Sequence, residues 1–374
     1  MALTPNAVYR RLYEGVNYRL RSFAGGRFAH RCRPVSIMFL LTELCNARCV
    51  HCDIWKNQGK EDSPSASQWL KVLDDLRSWL GPVSIVFTGG EALLKPYAAE
   101  LAAHASSRGF CLEFLTHGYW KDQARIEQLA MARPAQITIS VDGVGAVHSK
   151  IRGREDFFEH TSRTIETLVR MRSEDRSLRY RILLKTVIME QNLDELGEVA
   201  RFATREGMAV FYQPIEQNYN TAQDPKWFLT SPTWPRHPEA AVRAVQQLIQ
   251  LKRDGLHIEN TEEHFDAMIR YFLDPAGLRL LTQSHVAQQE RPLCAALTML
   301  QLQSNGDVTI CAHRPPVGNI KDSDVRRIWE RRTRYWESGC CLAGCVAHSP
   351  AQPAADSLPV TPSQAEPSID QRRS

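Results

Sequence analysis

Apolar positions along this chain recur with two alternating periods. Short strand-like runs occupy residues 36–41, 83–88, 111–116, 136–141, 180–188 and 209–213. Between them lie stretches with apolar residues at helical spacing. Over 67–80, Trp69, Val72, Leu76 and Leu80 fall on one side, and 157–171 and 193–206 repeat the pattern. Six βα units in succession predict an α/β fold, a parallel sheet that is curled or closed and covered outside by helices. In such sheets chemistry gathers beyond the C-terminal ends of the strands.

On either side of this alternation the pattern changes. Residues 1–34 carry Arg10, Arg11, Arg19, Arg21, Arg27 and Arg31 among Tyr9, Leu12, Tyr13, Val16 and Tyr18. Such a basic amphipathic segment suits a helix covering the end of a barrel, or one resting on an anionic membrane surface. After the sixth strand, a long connection rich in Tyr, Trp and Pro (212–235) reads as a lid or substrate wall, or as a structural connector. Helices are expected over 238–252 and 262–272. Apolar alternation at 298–303, a Ser304-Asn305-Gly306-Asp307 turn and a second run at 308–310 predict a β-hairpin, followed by a short helix around 325–332. The tail from Pro350, rich in Ala, Pro, Ser and Gln, is expected to be disordered. The expected division is therefore a basic segment (1–34), a barrel (35–236), a helical connector (237–290), a small C-terminal hairpin-plus-helix module (291–346) and a tail (347–374).

Composition adds bounds. A 43% apolar and 24% charged chain of 374 residues is ordinary for a globular protein, and a net charge of +4 gives no argument for nucleic acid. No apolar run approaches the ~20 residues of a membrane span, and the N-terminus shows no apolar leader. Eight of the ten cysteines fall into two groups, at 45–52 and 294–345. That clustering suits metal ligation in a reducing cytoplasm better than a secreted disulfide framework.

The first group is Cys45-x3-Cys49-x2-Cys52, directly after the first strand. Three thiolates on one tight loop leave a four-iron cubane one ligand short, and an open position marks a reactive rather than a purely structural site. A zinc knuckle or unrelated free thiols is the alternative. The second strand ends in Thr88-Gly89-Gly90-Glu91-Ala92, the third in Thr116-His117-Gly118, and the fourth in Ser140-Val141-Asp142-Gly143, with His148 and Arg152-Gly153 beyond.

In this order the motifs resemble the radical S-adenosylmethionine (SAM) superfamily, over roughly residues 35–346. The resemblance implies a partial (β/α)6 barrel and a [4Fe–4S] cluster on Cys45, Cys49 and Cys52 whose open iron takes SAM. It implies that Gly89, Gly90 and Glu91 hold the SAM amino group, that Thr116 lies in the same pocket, and that Ser140 lies near the ribose. Asp142 would organise the strand end or face substrate. Arg152 would pair with the SAM carboxylate, or else form a salt bridge at a helix start. His51 would stack on adenine. Three departures are Ala92, where the family has proline, His117, where it usually has asparagine, and His51, where many members have an aromatic residue; His117 is either a ligand contact or a structural residue.

The second group, Cys294, Cys311, Cys340, Cys341 and Cys345, resembles the SPASM or twitch extension of these enzymes. It implies one auxiliary [4Fe–4S] cluster, with Cys340 spare or exchanged for Cys341; a four-cysteine zinc site is the alternative. The expected activity is reductive cleavage of SAM to a 5′-deoxyadenosyl radical that takes hydrogen from a peptide or small molecule, giving oxidation or bond formation. A reducing partner such as flavodoxin or ferredoxin is expected. Two other classes compete: a radical enzyme acting on lipid, sugar or nucleotide with a merely structural second site, and a metal-stabilised binding or scaffold protein.

Overall fold

A computed structural model describes residues 4–22, 31–57, 62–218, 221, 224, 226–275, 297–311 and 315–332. The six expected strands are β1 (Ser36–Leu40), β2 (Ser84–Thr88), β3 (Cys111–Thr116), β4 (Gln136–Ser140), β5 (Arg181–Ile188) and β6 (Ala209–Pro214). They pair in parallel in sequence order, an open sheet rather than a closed barrel. The crossovers are α2 (Ala66–Leu80), α3 (Ala98–Ser107), α4 (Ala124–Met131), α5 and α6 (Ala146–Arg152 and Phe157–Glu174) and α7 (Leu196–Arg205). Helix α2 starts at a capping box in which Ser65 and Gln68 satisfy each other's backbone amides, and it buries Trp69, Val72, Leu73, Leu76 and Leu80 against the sheet. Phe39, fully buried, meets Trp69 and Phe87 with ring centroids 5.7 and 5.1 Å away. Truncating such a side chain to alanine costs about 3–5 kcal/mol.

The segment ahead of the barrel forms α1 (Pro5–Ser22), which lies at the N-terminal end of the sheet, away from the strand ends where chemistry is expected. Tyr9 Oη donates to Leu80 O (2.6 Å) at the end of α2, and Tyr13 Oη to Pro34 O (2.7 Å) just before β1. Helices α8 (Pro238–Arg253) and α9 (Glu262–Leu273) pack on each other after β6. In the connection after β6, Trp234 packs on Trp227, Phe228, Tyr271 and Phe272, so its aromatic residues are tied to α9.

The predicted hairpin is β7 (Met299–Leu302) and β8 (Asp307–Thr309), followed by β9 (Gly318–Asn319). It does not stand apart from the barrel. Strand β7 pairs in parallel with β1, Ile37 opposite Leu300, so one nine-stranded sheet runs β6-β5-β4-β3-β2-β1-β7-β8-β9. Helix α10 (Val325–Arg331) then packs on α2, and Trp329 and Arg332 both donate to Cys32 O, at 3.1 and 2.7 Å. Among the described residues no helix is long and apolar enough to cross a membrane.

Candidate functional site

The loop leaving β1 at its C-terminal end carries Cys45, Cys49 and Cys52, and none of the three is in a disulfide. Cys49 is buried with Ala47, Tyr119 and Phe157, and the half-buried Cys45 and Cys52 pack against the same small apolar group. Three free thiols are thus gathered over one dry patch. Burial pushes the Cys45 thiol up to about 12 and raises those of Cys49 and Cys52, so each keeps its proton until a metal displaces it.

Two neighbours hold this loop by backbone hydrogen bonds. On one side Arg48 N–H donates to Arg152 O (3.1 Å) and Val50 N–H to Ile151 O (2.9 Å), which ties the loop to the end of α5. Gly153, at φ +78°, closes that contact: a Cβ there would stand 2.5 Å from Arg48 O. On the other side Gly90 N–H donates to Thr42 O (2.7 Å) and Glu91 N–H to Leu44 O (2.9 Å). Added Cβ atoms at Gly89 and Gly90 would lie 2.3 Å from Thr42 O and 2.4 Å from Leu44 O. The Gly-Gly pair therefore allows the end of β2 to lie against the segment that enters the cysteine loop.

Glu91 is buried between the ends of β2 and β3. Its Oε1 accepts from Leu93 N–H (3.1 Å), and its Oε2 from Thr116 Oγ1 (3.0 Å) and His117 N–H (2.9 Å). Burial raises its carboxyl from the ordinary 4.5 to about 7 in spite of those three donors. Thr116 Oγ1 also accepts from Gly118 N–H at 3.1 Å. His117 accepts from Tyr119 N–H through Nδ1 (2.9 Å), which leaves Nε2–H for Asn46 Oδ1, 2.7 Å away inside the cysteine loop. Burial drops His117 to about 3, so it stays neutral. It bridges strand end and loop.

Asp142 is fully buried beyond β4. Its Oδ1 accepts from Val187 N–H (3.0 Å), its N–H donates to His148 Nδ1 (3.0 Å), and its carbonyl accepts from Asn192 Nδ2 (2.8 Å). Its Oδ2 lies 2.6 Å from a terminal nitrogen of Arg152. Despite burial, this guanidinium above all holds the Asp142 carboxyl below its ordinary range. Ser140, half-buried, ends β4 beside this pair. His51 is half-buried in the cysteine loop, and burial lowers it to about 4.

The cysteine loop, Gly89, Gly90, Glu91, Thr116, Ser140, Asp142, Arg152 and His51 thus converge on the C-terminal ends of β1 to β4. Of the second group only Cys311 is described: it is half-buried just past β8 and packs on the main core. Cys294, Cys340, Cys341 and Cys345 lie outside the described residues. Spacing alone did not single out Asn46, Tyr119, Phe157 or Arg154, although Tyr119 and Phe157 form the patch under the thiols and Arg154 Nε donates to Asn46 O (2.9 Å). The available signal was Tyr119 following the His117-Gly118 turn.

The donor set fits a three-thiolate cluster. Among the described residues no three His, Cys, Asp or Glu side chains converge closely enough for a single ion, whereas the ligands of a cubane sit on different irons and need not converge. Several buried polar atoms around the loop also lack a partner, including His51 Nδ1, Asp53 Oδ2, His148 Nε2 and Arg152 Nε. Unsatisfied groups at this density are unusual in a folded interior and mark room for a polar ligand.

Comparison with known proteins agrees with this geometry. Residues 39–203 match the family model described as the radical SAM superfamily. The chain is 28% identical over 179 residues to the sporulation killing factor maturation protein SkfB of Bacillus subtilis, covering 48% of this chain and 42% of that one. It therefore spans less than half of that relative's length. It is 23% identical over 308 residues to the AdoMet-dependent heme synthase of Methanosarcina barkeri, covering 79% and 82% of the two chains. The fold is shared with Streptococcus suis SuiB, solved with S-adenosylmethionine, at a TM-score of 0.59 and 13% identity over 80% of this chain and 66% of that one. Three cysteines on the loop after β1, an open parallel sheet and the family model matched by residues 39–203 agree: this part of the chain is similar to the radical SAM superfamily.

Proposed function

We propose that this protein is a radical SAM enzyme that oxidises or forms a bond in a peptide, with help from a second iron–sulfur cluster. The observation that carries the reading is the gathering of Cys45, Cys49 and Cys52 over the patch of Ala47, Tyr119 and Phe157 at the strand ends. When bound, the cluster and SAM supply reductive cleavage of the sulfonium to methionine and a 5′-deoxyadenosyl radical, which takes a hydrogen atom from substrate. The three thiolates would hold the cluster, with His117 and Asn46 fixing the loop that carries them. Glu91, Ser140 and His51 are proposed to meet the amine, ribose and adenine of SAM. Glu91 can do so only by sharing an oxygen already bonded to Leu93, Thr116 or His117.

Cys294, Cys311, Cys341 and Cys345, with Cys340 as the exchangeable fifth, are proposed to hold the auxiliary cluster. Beside Cys45 lies a hollow of about 690 Å³ lined by Arg48, Lys56 and Arg154, and a second of about 410 Å³ shares Asn46 and Arg154 with it and adds Lys121, Arg125 and one acid, Asp122. This basic surface near the thiols suits docking of an acidic electron carrier such as flavodoxin or ferredoxin in the cytoplasm.

A peptide is favoured because the relative SkfB is named as a maturation protein and SuiB has been solved with its precursor peptide SuiA. A second reading, a tetrapyrrole substrate, is favoured by the heme synthase, whose match covers 79% of this chain and 82% of its own. Deuterium transfer decides between them. Reconstituted enzyme, SAM and reductant would be incubated with perdeuterated candidate peptides or porphyrins, and 5′-deoxyadenosine weighed by mass spectrometry. Deuterium arriving from a peptide supports the first reading. Deuterium only from a porphyrin supports the second, and arrival from neither overturns both.

A further inference from the structure

Arg152 ends α5 and is only 7% exposed, yet it carries a full charge. Its two terminal nitrogens serve different partners. One lies 2.6 Å from Asp142 Oδ2, and the other donates to Cys49 Sγ at 3.5 Å. Asp142 is itself clamped by Val187, His148 and Asn192, so the guanidinium is aimed at the sulfur by a rigid chain of contacts. Cys49 is the most buried of the three loop cysteines, so charge beside it is little screened by solvent.

Building on the three-thiolate reading above, we infer that Arg152 sets the reduction potential of the cluster at Cys49, with Asp142 as the opposing charge that limits its effect. Reduction adds one electron, and so one negative charge, to a cluster that shares its charge with the thiolate sulfurs. A cation that also donates N–H to one of those sulfurs stabilises the reduced form more than the oxidised form and raises the potential. The carboxylate on the far side of the guanidinium acts in the opposite sense. Arg152 is thus a positioning and tuning residue at Cys49, and its Nε–H, which has no partner, remains available to a ligand.

The test is a redox titration of the reconstituted full-length chain without SAM, with dithionite as reductant and the reduced cluster followed by electron paramagnetic resonance. Arg152→Gln should move the midpoint to a more negative value, lowering the reduced-to-oxidised ratio at fixed potential at least tenfold, which is 59 mV for a one-electron couple. Asp142→Asn should move it the other way. Arg152→Lys, which keeps the charge and loses the fork, should fall between wild type and Arg152→Gln. A merely structural pair would not give shifts of opposite sign. If Arg152→Gln does not retain iron, the Asp142→Asn shift decides alone. Unmoved potentials, or shifts of the same sign, overturn the inference while leaving the three-thiolate reading intact. Failure of the wild-type chain to assemble any cluster overturns both.

Discussion

The loop leaving β1 at its C-terminal end carries three cysteines within eight residues, whereas the hairpin laid along the other edge of β1 places a single one, Cys311, just past β8. The loop is held on both sides by backbone hydrogen bonds, from Gly90 and Glu91 on one and to Ile151 and Arg152 on the other. The hairpin is held by sheet pairing, in parallel to β1 and antiparallel within itself, and by Leu300, Leu302, Val308 and Ile310 in the main core. A ligand set confined to one loop can be fixed by local backbone geometry. A set drawn from Cys294 to Cys345 depends on the packing of distant segments, so its assembly is a property of the whole fold.

If the comparison holds, the two sets can be lost separately. Replacing Cys294, Cys311, Cys341 and Cys345 by alanine should lower the iron content from about eight to about four per chain, because each cubane holds about four. SAM cleavage without substrate should persist, and substrate conversion should fail. Loss of all iron together would show that the hairpin, through its pairing with β1, supports the first site as well. Zinc after anaerobic isolation would replace the auxiliary cluster with a structural clasp.

The glycines of the two regions sharpen the contrast. A Cβ at Gly90 meets the backbone oxygen of Leu44 at 2.4 Å, which only a backbone shift can relieve. At Gly306, φ +90° in the hairpin turn, the nearest atom is a side-chain one, Asn319 Oδ1 at 2.8 Å. Gly90→Ala should therefore cost about 3 kcal/mol or more by overpacking, and Gly306→Ala about 1–2 kcal/mol from its left-handed backbone. Urea unfolding of the two variants measures both, and equal losses would deny the loop its special constraint.

The alternation of strand and helix made the six parallel strands and the hairpin legible, since each element announces itself by local period. So was the cysteine loop, by spacing. The pairing of β7 with β1 was not, because nothing local in residues 299–302 says which edge they join. Nor was the engagement of Glu91, whose partners Thr116 and His117 sit on the next strand, or the aim of Arg152 at Cys49, which depends on Asp142 being clamped by three other elements. In each case the missing information was a long-range contact between residues whose individual roles the motifs already suggested.

Glu91→Gln is expected to have a smaller effect, visible in pH dependence. The folded chain holds the Glu91 proton up to about pH 7, and the ordinary value is 4.5. The contribution of this group to stability is therefore full below 4.5 and declines as pH rises toward 7. In Glu91→Gln that decline should disappear, so the difference from wild type should change across this window and be flat on either side of it. The same variant should bind SAM more weakly with iron content unchanged. Smallest of all, Ser140→Ala should weaken SAM binding by about 0.5–1.5 kcal/mol, the value of one hydrogen bond. Isothermal titration of the reconstituted variants with SAM reads both affinities, and an unchanged Kd for either residue would leave it a role in packing alone.

The central claim is that Cys45, Cys49 and Cys52 together hold the cluster at which SAM is cleaved. It is tested most directly by anaerobic reconstitution of the wild-type chain and of the triple alanine variant, each supplied with SAM and dithionite. Iron is counted and 5′-deoxyadenosine measured in the same samples. The triple variant should lose about four irons per chain, keep any iron bound by the second group, and form no 5′-deoxyadenosine. Formation of 5′-deoxyadenosine by the triple variant at the wild-type rate would contradict the account.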